Sequence, residues 1–157
     1  HAHISGNEEW QADRQEVFQR LNDIQRTSEY AAIVPPPETV QVIARLAKIH
    51  ELHMITARPP EVLEVTQRMV EQHFPDCFIS IDHLGPDESK GKACAKLHAD
   101  MLIDDNIRHL LAAREYGVES RIWFGKYAWQ DEADSAIYTN RVSDWSELEA
   151  EIARIAG

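Results

Sequence analysis

The sequence predicts an α/β fold in which a parallel sheet is layered between helices. Three observations predict it. Four short runs, Leu52–Thr56, Phe78–His83, Met101–Asp104 and Glu119–Phe124, have strand length and are rich in apolar, β-branched or aromatic residues. Segments with apolar residues at helical spacing separate them. Strands that alternate with helices must be joined by crossovers, and crossovers make neighbouring strands parallel.

The elements follow in chain order. Over Glu8–Ser28 the residues Trp10, Val17, Phe18, Leu21 and Ile24 share one helical face, with Asn7 placed to cap. Pro35, Pro36 and Pro37 hold off the next helix until Glu38, and Val40, Ile43, Ala44, Leu46 and Ala47 mark it to about Ile49. The chain therefore divides into a helical segment over 1–34 and an α/β core over 35–157. Leu52–Thr56 is the first strand, ended by Ala57, Arg58, Pro59 and Pro60. A helix over Glu61–His73 turns Val62, Val65, Met69 and Val70 inward, and the strand Phe78–His83 follows a turn at Pro75. Lys90–Leu97 reads as a helix and Met101–Ile103 as a strand running into Asp104. Ile107–Tyr116 is a helix stopped by Gly117. Arg141 and Val142 are extended, and Ser143 or Asp144 caps a last helix over Ser146–Ile155.

Bulk composition narrows the function. Apolar residues are 43% of the chain, enough for a packed core in 157 residues. The formal net charge of -11 disfavours a nucleic-acid polymer or an anionic membrane as partner. A small phosphorylated molecule stays compatible, because a local cation overcomes the global field. Cys77 and Cys94 fit free thiols in a reducing, cytoplasmic setting, with Cys94 a small buried hydrophobe. The eight histidines are scattered and give no tetrahedral zinc spacing.

Chemistry concentrates in Ser89–Asn106. Asp104 and Asp105 end a buried strand side by side, and two such carboxylates repel each other and resist desolvation. A hard cation relieves both, and Mg²⁺ takes oxygen ligands at one or two carboxylates. Lys90, at the start of the preceding helix, can reach the same edge and meet an anion. The simpler alternative makes the acidic pair an N-cap for the next helix. Thr56 followed by Arg58 ahead of a helix N-terminus can hold an anion, or can be a Thr cap with a surface Arg. Tyr127 and Trp129 either overlie a site or pack on the core edge. Ligands of parallel sheets bind at the carboxyl ends of strands, where Thr56 and Asp104 both lie.

In this order, Thr56 at a strand end, Lys90 ahead of a helix and LIDD at Leu102–Asp105 resemble motifs II, III and IV of the haloacid-dehalogenase-like (HAD) hydrolases. HMITARPP (His53–Pro60), HFPDCF (His73–Phe78), KGKACAKLHADMLIDDN (Lys90–Asn106), FGKYAWQ (Phe124–Gln130) and RVSDW (Arg141–Trp145) resemble its nucleotidase-like branch, over roughly Pro36–Ile152. The resemblance implies a Rossmann-like three-layer core with a short helical cap remnant at its N-terminal side. It implies Mg²⁺-dependent phosphomonoester hydrolysis, in which a strand-end Asp attacks phosphorus and a second Asp two residues on serves as acid and base. Thr56 bonds a phosphoryl oxygen, Lys90 neutralises charge, Asp104 and Asp105 hold Mg²⁺, and Arg58 contacts substrate.

The sequence departs from the family at motif I. No DxD after an apolar strand occurs in His1–Leu52; Asp13 and Asp23 lie in polar helical surroundings. In the family that strand is central, between those ending at Thr56 and Asp104, so its loss leaves an open seam or a sheet that closes directly. Three expectations follow: a fragment of a longer phosphatase, a short relative that binds a phosphorylated ligand or a partner without catalysis, or a strand supplied by another chain, as in a homodimer through the seam. A response-regulator receiver also carries strand-end acids, but early in its chain, whereas this pair comes late.

Overall fold

The computed structural model describes residues 35–56, 62–85, 87–126, 130 and 134–156. The helix expected over Glu8–Ser28, together with Arg58, Tyr127 and Trp129, lies outside the described residues. The chain forms two compact units, one ending at His83 and the other beginning at Leu84.

The first unit holds α1 (Pro37–Ala47), β1 (Leu52–Thr56), α2 (Leu63–His73) and β2 (Phe78–His83). α1 starts one residue earlier than the prolines suggest. Pro37 occupies the first helical position, where the N–H it lacks would find no partner anyway and its fixed φ suits the helix. Val42, Ile43 and Leu46 form its buried face. Along α2 the buried stripe runs from Val62, the residue before the helix, through Thr66 to Val70. Thr66 was not among the expected inward residues because it is polar, but its hydroxyl donates to the Val62 carbonyl at 3.1 Å and so enters the core satisfied. β1 and β2 pair in parallel, with His53 opposite Ser80 and Thr56 opposite His83. Ser80 Oγ donates to Asp82 Oδ2 at 2.6 Å and meets His53 Nδ1 at 2.6 Å, giving this face a closed polar chain.

The second unit holds α3 (Lys90–Leu97), β3 (Met101–Asp104), α4 (Ile107–Glu115), β4 (Ser120–Phe124), β5 (Asn140–Val142) and α5 (Trp145–Ala156). Its sheet runs β3-β4-β5, parallel throughout. Leu110, Ala113, Ile122, Trp123, Val142 and Leu148 make its core. The link from β4 to β5 is fastened by Arg121, whose Nε donates to the Ile137 carbonyl and whose backbone N–H meets Thr139 Oγ1. α5 opens on Asp144, which accepts from the Glu147 N–H at 2.8 Å. Among the described residues, β1 pairs only with β2 and β3 only with β4, so each keeps one free edge. No helix among the described residues is long and apolar enough to cross a membrane.

α3 and α4 end in the same way with different residues. In each, the N–H two positions past the cap reaches back to the carbonyl five residues earlier: Ala99 to Cys94 at 2.9 Å and Val118 to Ala113 at 3.0 Å. The residue in the left-handed position is Gly117 in α4 (φ 81) and the exposed His98 in α3 (φ 54). A Cβ there is strained, so His98→Gly is expected to raise stability by about 1 kcal/mol. Denaturant unfolding checks this; an unchanged or lower midpoint at constant slope contradicts it.

Candidate functional site

The carboxyl end of β3 gathers the charged side chains that the sequence singled out. Asp104 is the last residue of the strand and is buried. Its Oδ2 lies 2.5 Å from Lys90 Nζ, and its Oδ1 accepts from the Asn106 N–H at 2.8 Å. Both partners of the ion pair are withdrawn from water, with side chains 15% and 5% exposed.

Lys90 reaches Asp104 because α3 is placed to let it. Ser89 caps the helix, accepting from the Lys92 N–H at 3.0 Å, which makes Lys90 its first residue. Gly91 then brings α3 against the α4 backbone: a Cβ at this position would stand 2.3 Å from the Ala112 carbonyl oxygen. Cys94, one turn on, is buried as expected; burial pushes its thiol up, with the Lys90 charge opposing and the Asp104 charge adding.

The acidic pair is not the cap of α4. Asn106 is, with its Oδ1 accepting from the Arg108 N–H at 3.0 Å. The carboxylates are thereby left for other work. Asn106 is buried and its Nδ2 has no hydrogen-bond partner among the described residues. Asp105 stands half-buried beside Asp104. Burial pushes its carboxyl above the ordinary 3.8, and the Asp104 charge pushes the same way. Its main-chain carbonyl accepts from Trp123 Nε1 at 3.0 Å and from Gln130 Nε2 at 2.9 Å.

The raised Asp105 carboxyl has a sign that can be tested. Its proton is held more tightly in the folded chain than in the unfolded one, so the stability it contributes is full below 3.8 and is lost as pH rises through the folded value. In metal-free buffer, Asp105→Asn is therefore expected to melt higher than wild type at neutral pH, the advantage shrinking as pH falls through the folded value toward 3.8 and gone below it. Melting curves across that range check it; equal pH dependence of the two proteins contradicts it.

Asp104 and Asp105 offer two hard-oxygen groups side by side, and Asp105 gains most from a nearby cation. Among the described residues no group of three or more His, Cys, Asp or Glu side chains gathers. Mg²⁺ usually holds one or two protein carboxylates and completes its shell with water and phosphate oxygens, so this donor set fits it.

The described geometry joins Lys90, Asp104 and Asp105 into one cluster. Thr56 is buried at the carboxyl end of β1 in the first unit, opposite His83, whose ring nitrogens are buried without a hydrogen-bond partner among the described residues. Arg58 lies outside the described residues. Trp123, Gln130 and Arg141 touch the site or its immediate support, although the sequence singled none of them out individually. The only signal was that Gln130 and Arg141 fall within the FGKYAWQ and RVSDW segments.

No family model matches the chain, and no curated protein matches it significantly. Among solved structures it is similar to a protein of Lactobacillus delbrueckii subsp. bulgaricus, provisionally described as a phosphoglycolate phosphatase. The TM-score is 0.60 at 19% identity, over 90% of this chain and 63% of that one. This chain shares that protein's fold. At that identity the likeness is one of fold, and the chain spans less than two thirds of the length of the protein it matches. The α/β architecture expected from the alternating strands and helices is the one observed.

Proposed function

We propose that this chain carries the phosphate and metal side of a Mg²⁺-dependent phosphomonoester hydrolase of the HAD type, of the nucleotidase-like branch, acting on a small phosphorylated molecule. The observation that carries the reading is the buried Lys90–Asp104 pair, 2.5 Å apart at the carboxyl end of β3, with Asp105 beside it. Asp104 takes one of the three N–H donors of Lys90, which leaves the others, among the described residues, for a phosphoryl oxygen. By the family resemblance Thr56 bonds a phosphoryl oxygen and Arg58 contacts substrate. Asp104 and Asp105 hold the metal, which when bound neutralises charge on the phosphoryl group. In a chain of net charge -11 these local cations are what admit an anionic substrate.

The attacking carboxylate comes from outside these residues, on a strand provided by further sequence or by a second copy of the chain. Among the described residues β3 keeps one free edge, which supports pairing of such a strand there. The free cysteines support a reducing, cytoplasmic location. A second reading is favoured by one observation, the absence of a DxD after an apolar run in His1–Leu52. In it the same cluster binds a phosphorylated ligand or a partner protein without turnover.

Phosphate release from a panel of nucleoside monophosphates and other small phosphomonoesters, with Mg²⁺ and with a chelator, separates the two. Hydrolysis reading: release needs Mg²⁺ and falls by about 10²-fold or more in Asp104→Asn. Unaltered turnover in that variant sinks it. Saturable binding without any release leaves the second reading standing.

A further inference from the structure

Behind the acidic pair, side chains from three places converge on one peptide group. β3 ends at Asp104, so the backbone of Asp105 lies beyond the strand ladder and needs other contacts to hold it. The peptide joining Asp105 to Asn106 has them at both ends. Its N–H donates to Asp104 Oδ1 at 2.8 Å. Its carbonyl accepts from Trp123 Nε1 at 3.0 Å and Gln130 Nε2 at 2.9 Å. Gln130 Nε2 also bonds the Phe124 carbonyl at 3.1 Å, which ties it to the end of β4.

Arg141, from β5, locks the two donors together. Its guanidinium carbon stands 4.0 Å from the centre of the Trp123 ring, and its Nη2 donates to Gln130 Oε1 at 3.3 Å. Its Nε is buried and has no hydrogen-bond partner among the described residues. A guanidinium held with a buried, unpartnered N–H is placed by its stacking on the indole rather than by solvation.

We infer that Trp123, Gln130 and Arg141 are positioning residues for Asp105: by fixing its main-chain carbonyl they fix the direction in which its carboxylate faces the metal. The inference rests on the metal reading of the acidic pair given above. A small octahedral ion tolerates little error in ligand direction. Groups that orient a metal ligand through hydrogen bonds typically change metal affinity by about 10–100-fold when removed.

Charge gives the test a sharp sign. Removing Arg141 makes the protein more acidic, and simple electrostatics then predicts tighter binding of a divalent cation. Loss of positioning predicts weaker binding. Mn²⁺, followed by water-proton relaxation, is the probe, titrated into wild type, Trp123→Phe, Arg141→Met and Asp104→Asn, with a melting curve for each. Trp123→Phe keeps the ring and removes the Nε1 donor. Arg141→Met keeps an unbranched stem on the indole.

The expected result is Mn²⁺ binding by wild type, weakened about 10-fold or more in both Trp123→Phe and Arg141→Met while each still melts cooperatively. Should Arg141→Met fail to fold, Trp123→Phe decides alone. Folded variants that bind Mn²⁺ as tightly as wild type, or more tightly, overturn the positioning role and leave the metal reading intact. Wild type that binds no Mn²⁺, or Asp104→Asn that binds it equally well, overturns the metal reading and this inference with it.

Discussion

Gly91→Ala is expected to cost at least about 3 kcal/mol, far more than a glycine-to-alanine change inside a helix, which ordinarily stabilises. The added Cβ would lie 2.3 Å from the Ala112 oxygen, 2.5 Å from the Ala112 carbon and 2.9 Å from the Ala113 nitrogen. All three are backbone atoms of α4, so no side-chain rotation relieves the clash, and α3 must move off α4. Lys90 is the neighbouring residue and moves with it, so the variant also loses the geometry that joins Lys90 to Asp104. Gly85→Ala provides the contrast. Its nearest neighbour is the flexible Glu88 side chain at 3.2 Å, and it is expected to shift stability by less than about 1 kcal/mol. Denaturant unfolding of the two variants checks the account, and equal costs would contradict it.

Lys90→Met is expected to cost about 3–5 kcal/mol, because it leaves the Asp104 carboxylate charged and buried with its ion-pair partner gone. The Asn106 N–H still reaches Oδ1, but one neutral donor does not replace an ammonium. The double variant Lys90→Met with Asp104→Asn removes both charges and is expected to cost much less than the sum of the single changes. A double-mutant cycle by chemical denaturation reads this directly. Additive costs, with no coupling between the two sites, would show that the pair contributes nothing as a pair.

The strands were legible in the sequence where local pattern decides them. Leu52–Thr56 and Phe78–His83 stand as read, because a short apolar run between turn signals has few other uses. Lys90–Leu97 was equally plain, although the cap that Ser89 provides was not read from the sequence. Helix starts were less legible. The Asp104–Asp105 pair and Asn106 are all good capping types, and only the path of the chain out of β3 selects Asn106. The prolines at 35–37 pointed to a start at Glu38, whereas the last of them is itself the first helical residue.

Long-range features were hidden for a different reason. Gly91 inside a helical pattern gives no local sign that another backbone presses on it. The contacts Trp123 and Gln130 make with the Asp105 carbonyl span 18 and 25 residues, and no spacing rule encodes them. The reach of Lys90 toward the strand end could be anticipated from its place at the head of a helix. That its partner would be Asp104 rather than Asp105 had no local sign: Asp104 is the last, buried residue of the strand, and Asp105 lies beyond the ladder.

The central claim is that one cluster takes phosphate and Mg²⁺ together. Calorimetric titration of inorganic phosphate into the protein, with and without saturating Mg²⁺, tests it most directly and does not depend on turnover. The account predicts that Mg²⁺ tightens phosphate binding by about 5–150-fold, that phosphate tightens Mg²⁺ binding by the same factor, and that Asp104→Asn removes the coupling. Phosphate affinity that is the same with and without Mg²⁺, or a coupling that survives Asp104→Asn, would contradict it.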